Sequence, residues 1–150
     1  TLVSLLAEGA RACVANIGDS RAYHLRARSL RQVSVDHSLA ELLISRNGYS
    51  RAEALAHPSA NQIYRSLGQK QQVEVDLFTL DLEADDWIVL CSDGLSGLVN
   101  DETIAQICSA SPHPQTACDA LVRAANQAGG HDNITVICVR FVAAAVSGDN

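Results

Sequence analysis

Residues 87–91, Trp-Ile-Val-Leu-Cys, are five apolar side chains in a row, and the run stops at Ser92-Asp93-Gly94. A strand with one face in water alternates polar and apolar residues, whereas one that is apolar at every position is covered on both faces. Such a strand demands a layered fold, with other elements packed above and below it. It also poses a chemical question, because its buried path delivers a carboxylate at its end.

The rest of the chain supplies the layers. Residues 2–7, 11–18, 22–26 and 29–35 read as strands, and Gly18, Asp19 and Ser20 are the residues a short hairpin connection would use. Leu39, Leu42, Leu43 and Arg46 fall at helical spacing within 38–48, with Ser38 as cap and Gly48 as stop. A second short helix is predicted over 50–58, where Ser50 and Glu53 form a capping box and Pro58 ends it. Strands return at 73–80 and 86–92. Asn100 caps a helix over 101–109, and Pro114 opens a longer one over 114–128 with Ala117, Leu121, Ala124 and Ala128 in one stripe. Residues 133–141 close the order as an apolar strand, and 143–150 read as a loose tail. The pattern predicts one α+β domain, with helices packed on antiparallel sheet.

Bulk properties exclude several functions. The chain has 150 residues, 47% of them hydrophobic, enough for a real core. A net charge of −6 argues against a grip on nucleic acid or on an anionic membrane surface. No apolar stretch reaches the length of a membrane span, and no leader pattern stands at the start. The five cysteines form no Cys-x-x-Cys pair, so they read as reduced thiols of a cytoplasmic protein. There is no methionine, and residue 1 is a threonine inside an apolar run, from which an upstream segment is expected to be missing.

Three aspartates share one context. Asp19 follows a strand in Asn-Ile-Gly-Asp-Ser-Arg, Asp93 follows one in Leu-Cys-Ser-Asp-Gly, and Asp132 precedes one in Gly-Gly-His-Asp-Asn. Each has glycine adjacent or two residues away, letting the backbone turn sharply. One Asp-Gly alone is a turn or a helix cap. Three at strand ends gather if the strands lie side by side, and gathered carboxylates repel unless a cation joins them. Oxygen donors without cysteine favour Mg²⁺ or Mn²⁺ over zinc, and such ions acidify water and hold phosphoryl oxygens. A structural metal or a plain cluster of turns remains an alternative at this point.

Four ordered segments, VANIGDSRAY, VDHSLAELLISRNGYSRAEALAHPSANQIYRSLG, WIVLCSDGLSGLVNDETI and GGHDNITVICV, resemble the bacterial branch of the metal-dependent protein phosphatases, the type 2C serine/threonine enzymes, over residues 2–142. The resemblance implies two central antiparallel β-sheets between outer helices, in α-β-β-α layers. It implies that Asp93 and Asp132 act at a two-metal centre of Mn²⁺ or Mg²⁺, with Asp19 and Asp93 sharing a third, weaker ion. It implies phosphorylated proteins as substrates, hydrolysis by metal-bound water, and a substrate-selecting flap over about 36–58. The family's Asp-Gly-x-Gly-Gly metal motif and its early phosphate-gripping arginine occur nowhere here, so 1–150 resembles the C-terminal portion of the catalytic domain. Arg21 reads as structural rather than as that arginine.

Other residues carry blander expectations. His131 reads as a loop histidine, His37 as a local hydrogen-bonding group, Trp87 as core, and Asn133 as orienting the Asp132 loop through its amide. Ser45, Arg46, Ser50 and Arg51 read as a solvated helix face that could touch a phosphopeptide. Two further functional readings stand beside the phosphatase: a catalytically silent module that binds a phosphoprotein, and a phosphatase of the anti-sigma-antagonist type, against which the long helical excursion counts. Missing first strands would leave sheet edges bare, so a homodimer or marginal stability is expected of the isolated chain.

Overall fold

The computed structural model describes residues 1–142; the tail expected over 143–150 lies outside them. Seven strands and five helices follow in the order β1 (Leu2–Glu8), β2 (Arg11–Ile17), β3 (Arg21–Arg26), β4 (Ser29–Gln32), α1 (Leu39–Asn47), α2 (Arg51–Leu55), β5 (Asp76–Asp81), β6 (Trp87–Cys91), α3 (Asp93–Ser96), α4 (Asp101–Ala110), α5 (Pro114–Gln127) and β7 (Val136–Arg140). They build two antiparallel sheets, β1-β2-β5 and β4-β3-β6-β7. The expected α+β sandwich is therefore present, and the described residues form three of its layers: α4 and α5, the four-stranded sheet, and the three-stranded sheet.

β6 explains its own composition. It is an inner strand between β3 and β7, and all five of its residues are buried. Ile88 and Leu90 point into the space between the sheets, where they meet Val14, Ala22 and Leu80. Trp87, Val89 and Cys91 point the other way, into a cluster with Leu95, Ile104, Cys108 and Leu121 under the helices. The period of two is intact, but both faces are interior. Each such side chain contributes about 1.5–3 kcal/mol by burial.

The hairpin expected at Gly18–Ser20 is not one. β2 pairs with β1 and β5, while β3 pairs with β4 and β6, so the turn carries the chain from one sheet to the other. The hairpin lies one strand later, at Ala27-Arg28, where φ values of 48° and 69° give the turn matched to strand twist. Local signals fared well elsewhere. Ser38, Ser50 and Asn100 each accept a first-turn N–H, Ser50 with the full capping box, and Gly48 ends α1 at φ 69°. In α5 the buried stripe is Ala117, Leu121 and Ala125, with Ala128 exposed beyond the helix end. Trp87 is core, as expected, and all five cysteines are free.

Helices α1 and α2 form a small separate cluster from Ala40, Leu43, Ala54 and Ala60. They sit at the end of the sandwich from which β6 emerges, and that position is what gives the site its second wall.

Candidate metal and substrate site

A cavity of about 310 Å³ opens where β6 ends, and Asp19, Asp93 and Asp132 all line it. α1 and α2 supply one side through Ala40, Glu41, Ile44, Arg51 and Leu55; α3 and its C-cap supply the other through Gly94, Ser96 and Gly97. Three chain segments far apart in sequence thus meet at one place.

The meeting of Asp93 with Asp132 is built by Ser92 and Gly94. Ser92 donates its hydroxyl to the Asn133 carbonyl at 3.0 Å and accepts the Thr135 N–H at 3.0 Å, while its own N–H reaches the Thr135 carbonyl at 3.1 Å. Gly94 then packs flush on the opposite loop: a Cβ there would stand 2.4 Å from the Asn133 carbonyl oxygen. Only glycine fits. Asp93 Oδ1 accepts its neighbour's N–H from Gly94 at 3.0 Å, and Asp132 Oδ1 accepts that of Asn133 at 2.7 Å. Asn133 therefore holds the Asp132 carboxylate through its backbone N–H rather than through the side-chain amide that the sequence pointed to. One oxygen of each carboxylate stays available.

Electrostatics mark the cavity as anionic. Asp19, Asp36, Glu41, Asp93 and Asp132 face two guanidiniums, Arg21 and Arg51. Arg21 is spoken for: its Nη2 meets Asp36 Oδ2 at 2.6 Å, its Nε meets both carboxylate oxygens, and its Nη1 donates to Tyr23 Oη at 3.1 Å. Its hydrogen bonds to Asp36 hold its pKa up against burial, and burial pushes the Tyr23 phenol to about 12. These bonds are what a structural reading of Arg21 expects. Burial and then the charge of Asp93 raise the Asp19 carboxyl above its ordinary value. No ion pair engages Asp19, Asp93 or Asp132 among the described residues.

The donor set suits a hard divalent ion, since it is all oxygen and its charge is uncompensated. Among the described residues no three acidic, histidine or cysteine side chains converge tightly enough to hold one ion. An ion here would take one or two carboxylates and complete its shell otherwise, which is the habit of Mg²⁺.

Of the remaining candidates, His131 and Arg51 line the cavity, whereas Ser45 bonds back to the Glu41 carbonyl and Ser50 is consumed in its cap. Sequence reasoning missed Asp36 and Glu41 as cavity carboxylates and Ser92 as the stitch. The serine directly before Asp-Gly was the available signal for the last of these.

Comparisons with known proteins bear on this geometry. A family model described as stage II sporulation protein E (SpoIIE) matches residues 4–142. The chain is 37% identical over 139 residues to a serine/threonine phosphatase, stp, of Listeria welshimeri, covering 93% of this chain and 55% of that one. The S. agalactiae serine/threonine phosphatase structure superposes with a TM-score of 0.88 at 33% identity, over 94% of this chain and 58% of that one. The catalytic domain of the serine/threonine phosphatase PstP, solved in complex with two manganese ions, gives 0.82 at 31% identity, over 94% and 58%. The chain spans about half the length of the curated relatives it matches.

Proposed function

This chain belongs to the metal-dependent protein phosphatases, and on that premise we propose that its cavity serves the hydrolysis of phosphoserine and phosphothreonine on proteins. One observation carries the reading: Asp19, Asp93 and Asp132, delivered by three separate segments, line a single cavity, and among the described residues none of the three is in an ion pair. Asp93 and Asp132 are assigned to the main metal centre, and Asp19 with Asp93 to a weaker ion beside it. When bound, Mn²⁺ or Mg²⁺ supplies an acidified water and positive charge for the phosphoryl oxygens.

The chain's own residues do the rest. Gly94 and Ser92 fix the separation of the two principal carboxylates. The Arg21–Asp36 pair braces the floor. The 36–58 segment acts as the flap, with Arg51, which has no ion-pair partner among the described residues, placed to meet an anionic substrate group. Residues 1–150 act as the C-terminal portion of the catalytic domain, so full activity needs a segment carrying the Asp-Gly-x-Gly-Gly motif. A cytoplasmic signalling setting is part of this proposal. Separately, none of the described helices is long and apolar enough to cross a membrane.

The isolated chain is also assigned a tendency to pair with itself. Among the described residues β1 and β5 are the edge strands of their sheet, and its outer face exposes Leu6 at 74% and Leu77 at 66%. Sedimentation velocity that returns a monomer at all concentrations overturns this point.

The functional test is Mn²⁺-dependent release of phosphate from a phosphothreonine peptide, by this chain and by any longer natural form containing it. The reading predicts turnover in the longer form that Asp93→Asn lowers at least about 10²-fold. Turnover untouched by that substitution overturns it. Turnover by the 150 residues alone removes the need for a second segment.

A further inference from the structure

His37 lies outside the cavity lining, yet it is tied through both its ring and its backbone to the turn that presents Asp19. The Gly18 N–H donates to His37 Nδ1 at 2.9 Å, and the His37 N–H returns to the Gly18 carbonyl at 2.9 Å. The two residues thus form a closed two-point clamp across 19 positions of sequence. The ring is 1% exposed and packs against Tyr64 at a centroid distance of 5.6 Å.

The partners settle the ring's tautomer. A backbone N–H can only donate, so Nδ1 carries no proton and the single ring proton sits on Nε2. Nε2 donates to Asp76 Oδ2 at 3.1 Å; Arg65 Nη1, itself only a donor, stands against the same nitrogen at 3.1 Å without bonding it. Arg65 Nη1 donates to the other oxygen, Asp76 Oδ1, at 2.7 Å, and Arg65 Nη2 meets Glu74 Oε2 at 3.0 Å. Burial raises the Asp76 carboxyl, but the bonds from His37 and Arg65 outweigh it and hold the group below its ordinary value, ionised and accepting. A chain of directed bonds therefore runs from Arg65 through Asp76 and the imidazole to the Gly18 amide, one residue before Asp19.

Gly18 leaves this arrangement little alternative. Its φ is 105°, and a Cβ on it would collide with the Thr1 side chain at 2.2 Å. Its carbonyl also accepts the buried Asn16 amide at 3.3 Å. The turn is thus pinned on both polar groups of Gly18, and among the described residues the side chain on its N–H is the imidazole.

We propose that His37 is a positioning residue: its imidazole, oriented by Asp76 and Arg65, holds the Gly18–Asp19 turn so that the Asp19 carboxylate faces the cavity, and it couples that carboxylate to the 36–65 excursion. This rests on the reading of Asp19 as a metal ligand. A purely structural histidine would affect melting alone; a positioning one also sets metal affinity and the state of one amide.

The test uses the 150-residue chain with His37→Ala, His37→Asn and Asp19→Asn, titrated with Mn²⁺ by calorimetry, together with hydrogen exchange of the Gly18 amide. Asparagine places an acceptor near the Nδ1 position while giving up the Asp76 contact. His37→Ala is expected to weaken Mn²⁺ binding by roughly tenfold or more and to strip protection from the Gly18 amide. His37→Asn is expected to restore that protection and most of the affinity. Unchanged Mn²⁺ affinity in His37→Ala, with Asp19→Asn weakened, overturns the inference and leaves the metal reading standing. Unchanged affinity in Asp19→Asn overturns the ligand reading of Asp19 and the inference with it. Equal losses in His37→Ala and His37→Asn, with the amide protected in both, also overturn the inference.

Discussion

Gly94 sits inside the short helix α3, where exchanging glycine for alanine ordinarily stabilises by about 0.5–1 kcal/mol. The structure predicts the opposite sign. A Cβ at residue 94 would lie 2.4 Å from the Asn133 carbonyl oxygen, 3.0 Å from its carbon and 3.3 Å from Ile134 Cγ1. The first two atoms are backbone, and that backbone is stitched to Ser92 by hydrogen bonds at 3.0 Å on either side. Relief requires the Asp93 and Asp132 loops to part by close to 1 Å. Overpacking of this kind costs about 1–3 kcal/mol, more than the helical gain, which leaves Gly94→Ala about 1–2 kcal/mol less stable. At about 2–4 °C per kcal/mol for a chain of this size, the melting temperature falls by about 2–8 °C. The same displacement separates the two carboxylates that the metal reading needs together, so Mn²⁺ affinity falls as well. Thermal unfolding with and without Mn²⁺ measures both. A variant as stable as the parent, with Mn²⁺ affinity unchanged, refutes the idea that flush packing at Gly94 sets the spacing of Asp93 and Asp132.

Three further outcomes are expected. Ala27 and Arg28 occupy positive φ without the residues that favour it, so the pair Ala27→Asn and Arg28→Gly raises stability by about 1 kcal/mol in urea unfolding. Burial raises the Asp86 carboxyl, but bonds from Arg26 and the Glu83 N–H, with the His24 ring close by, overcome this and hold it well below the ordinary carboxylate range. Its contribution is therefore complete above the unfolded value near ~3.9 and is lost as pH falls towards the folded one. Asp86→Asn costs about 2 kcal/mol at neutral pH, below the figure for a fully buried pair because Arg26 keeps 37% exposure, and it flattens the acid limb of a stability-against-pH curve. Asp19 behaves inversely: its raised value means that the ionised folded state is penalised at neutral pH. Asp19→Asn or Asp93→Asn accordingly raises the melting temperature without metal and shrinks the rise that added Mn²⁺ produces, as scanning calorimetry will read directly.

The sequence announced whatever is settled within a few residues. Ser38, Ser50, Asn100 and Pro114 place helix starts because a cap acts on the next three amides. The apolar run 87–91 announced a strand covered on both sides, and glycines beside Asp93 and Asp132 announced sharp turns. Partnerships across long separations were not legible. Gly18-Asp19-Ser20 has hairpin composition, yet the pairing of β2 with β5 and of β3 with β6, some sixty residues away, makes it a corner between sheets. The true hairpin at Ala27-Arg28 carries no turn signature, because tertiary pairing overrides local preference there. His37 gives the same lesson: its partners Gly18 and Asp76 are 19 and 39 positions off, and no local pattern joins them. The gathering of Asp19, Asp93 and Asp132 was inferred from repetition of one context, and it holds as a shared cavity rather than as a tight ligand cluster.

The central claim is that this cavity holds a hard divalent ion through Asp93 and Asp132. Anomalous diffraction above the manganese edge, from crystals of the chain soaked in MnCl₂, tests it most directly. The account predicts a peak in the cavity within coordination distance of a free oxygen of Asp93 or Asp132, absent from crystals of the double variant Asp93→Asn, Asp132→Asn. A cavity without a peak at saturating Mn²⁺, or a peak that survives in the variant, contradicts it.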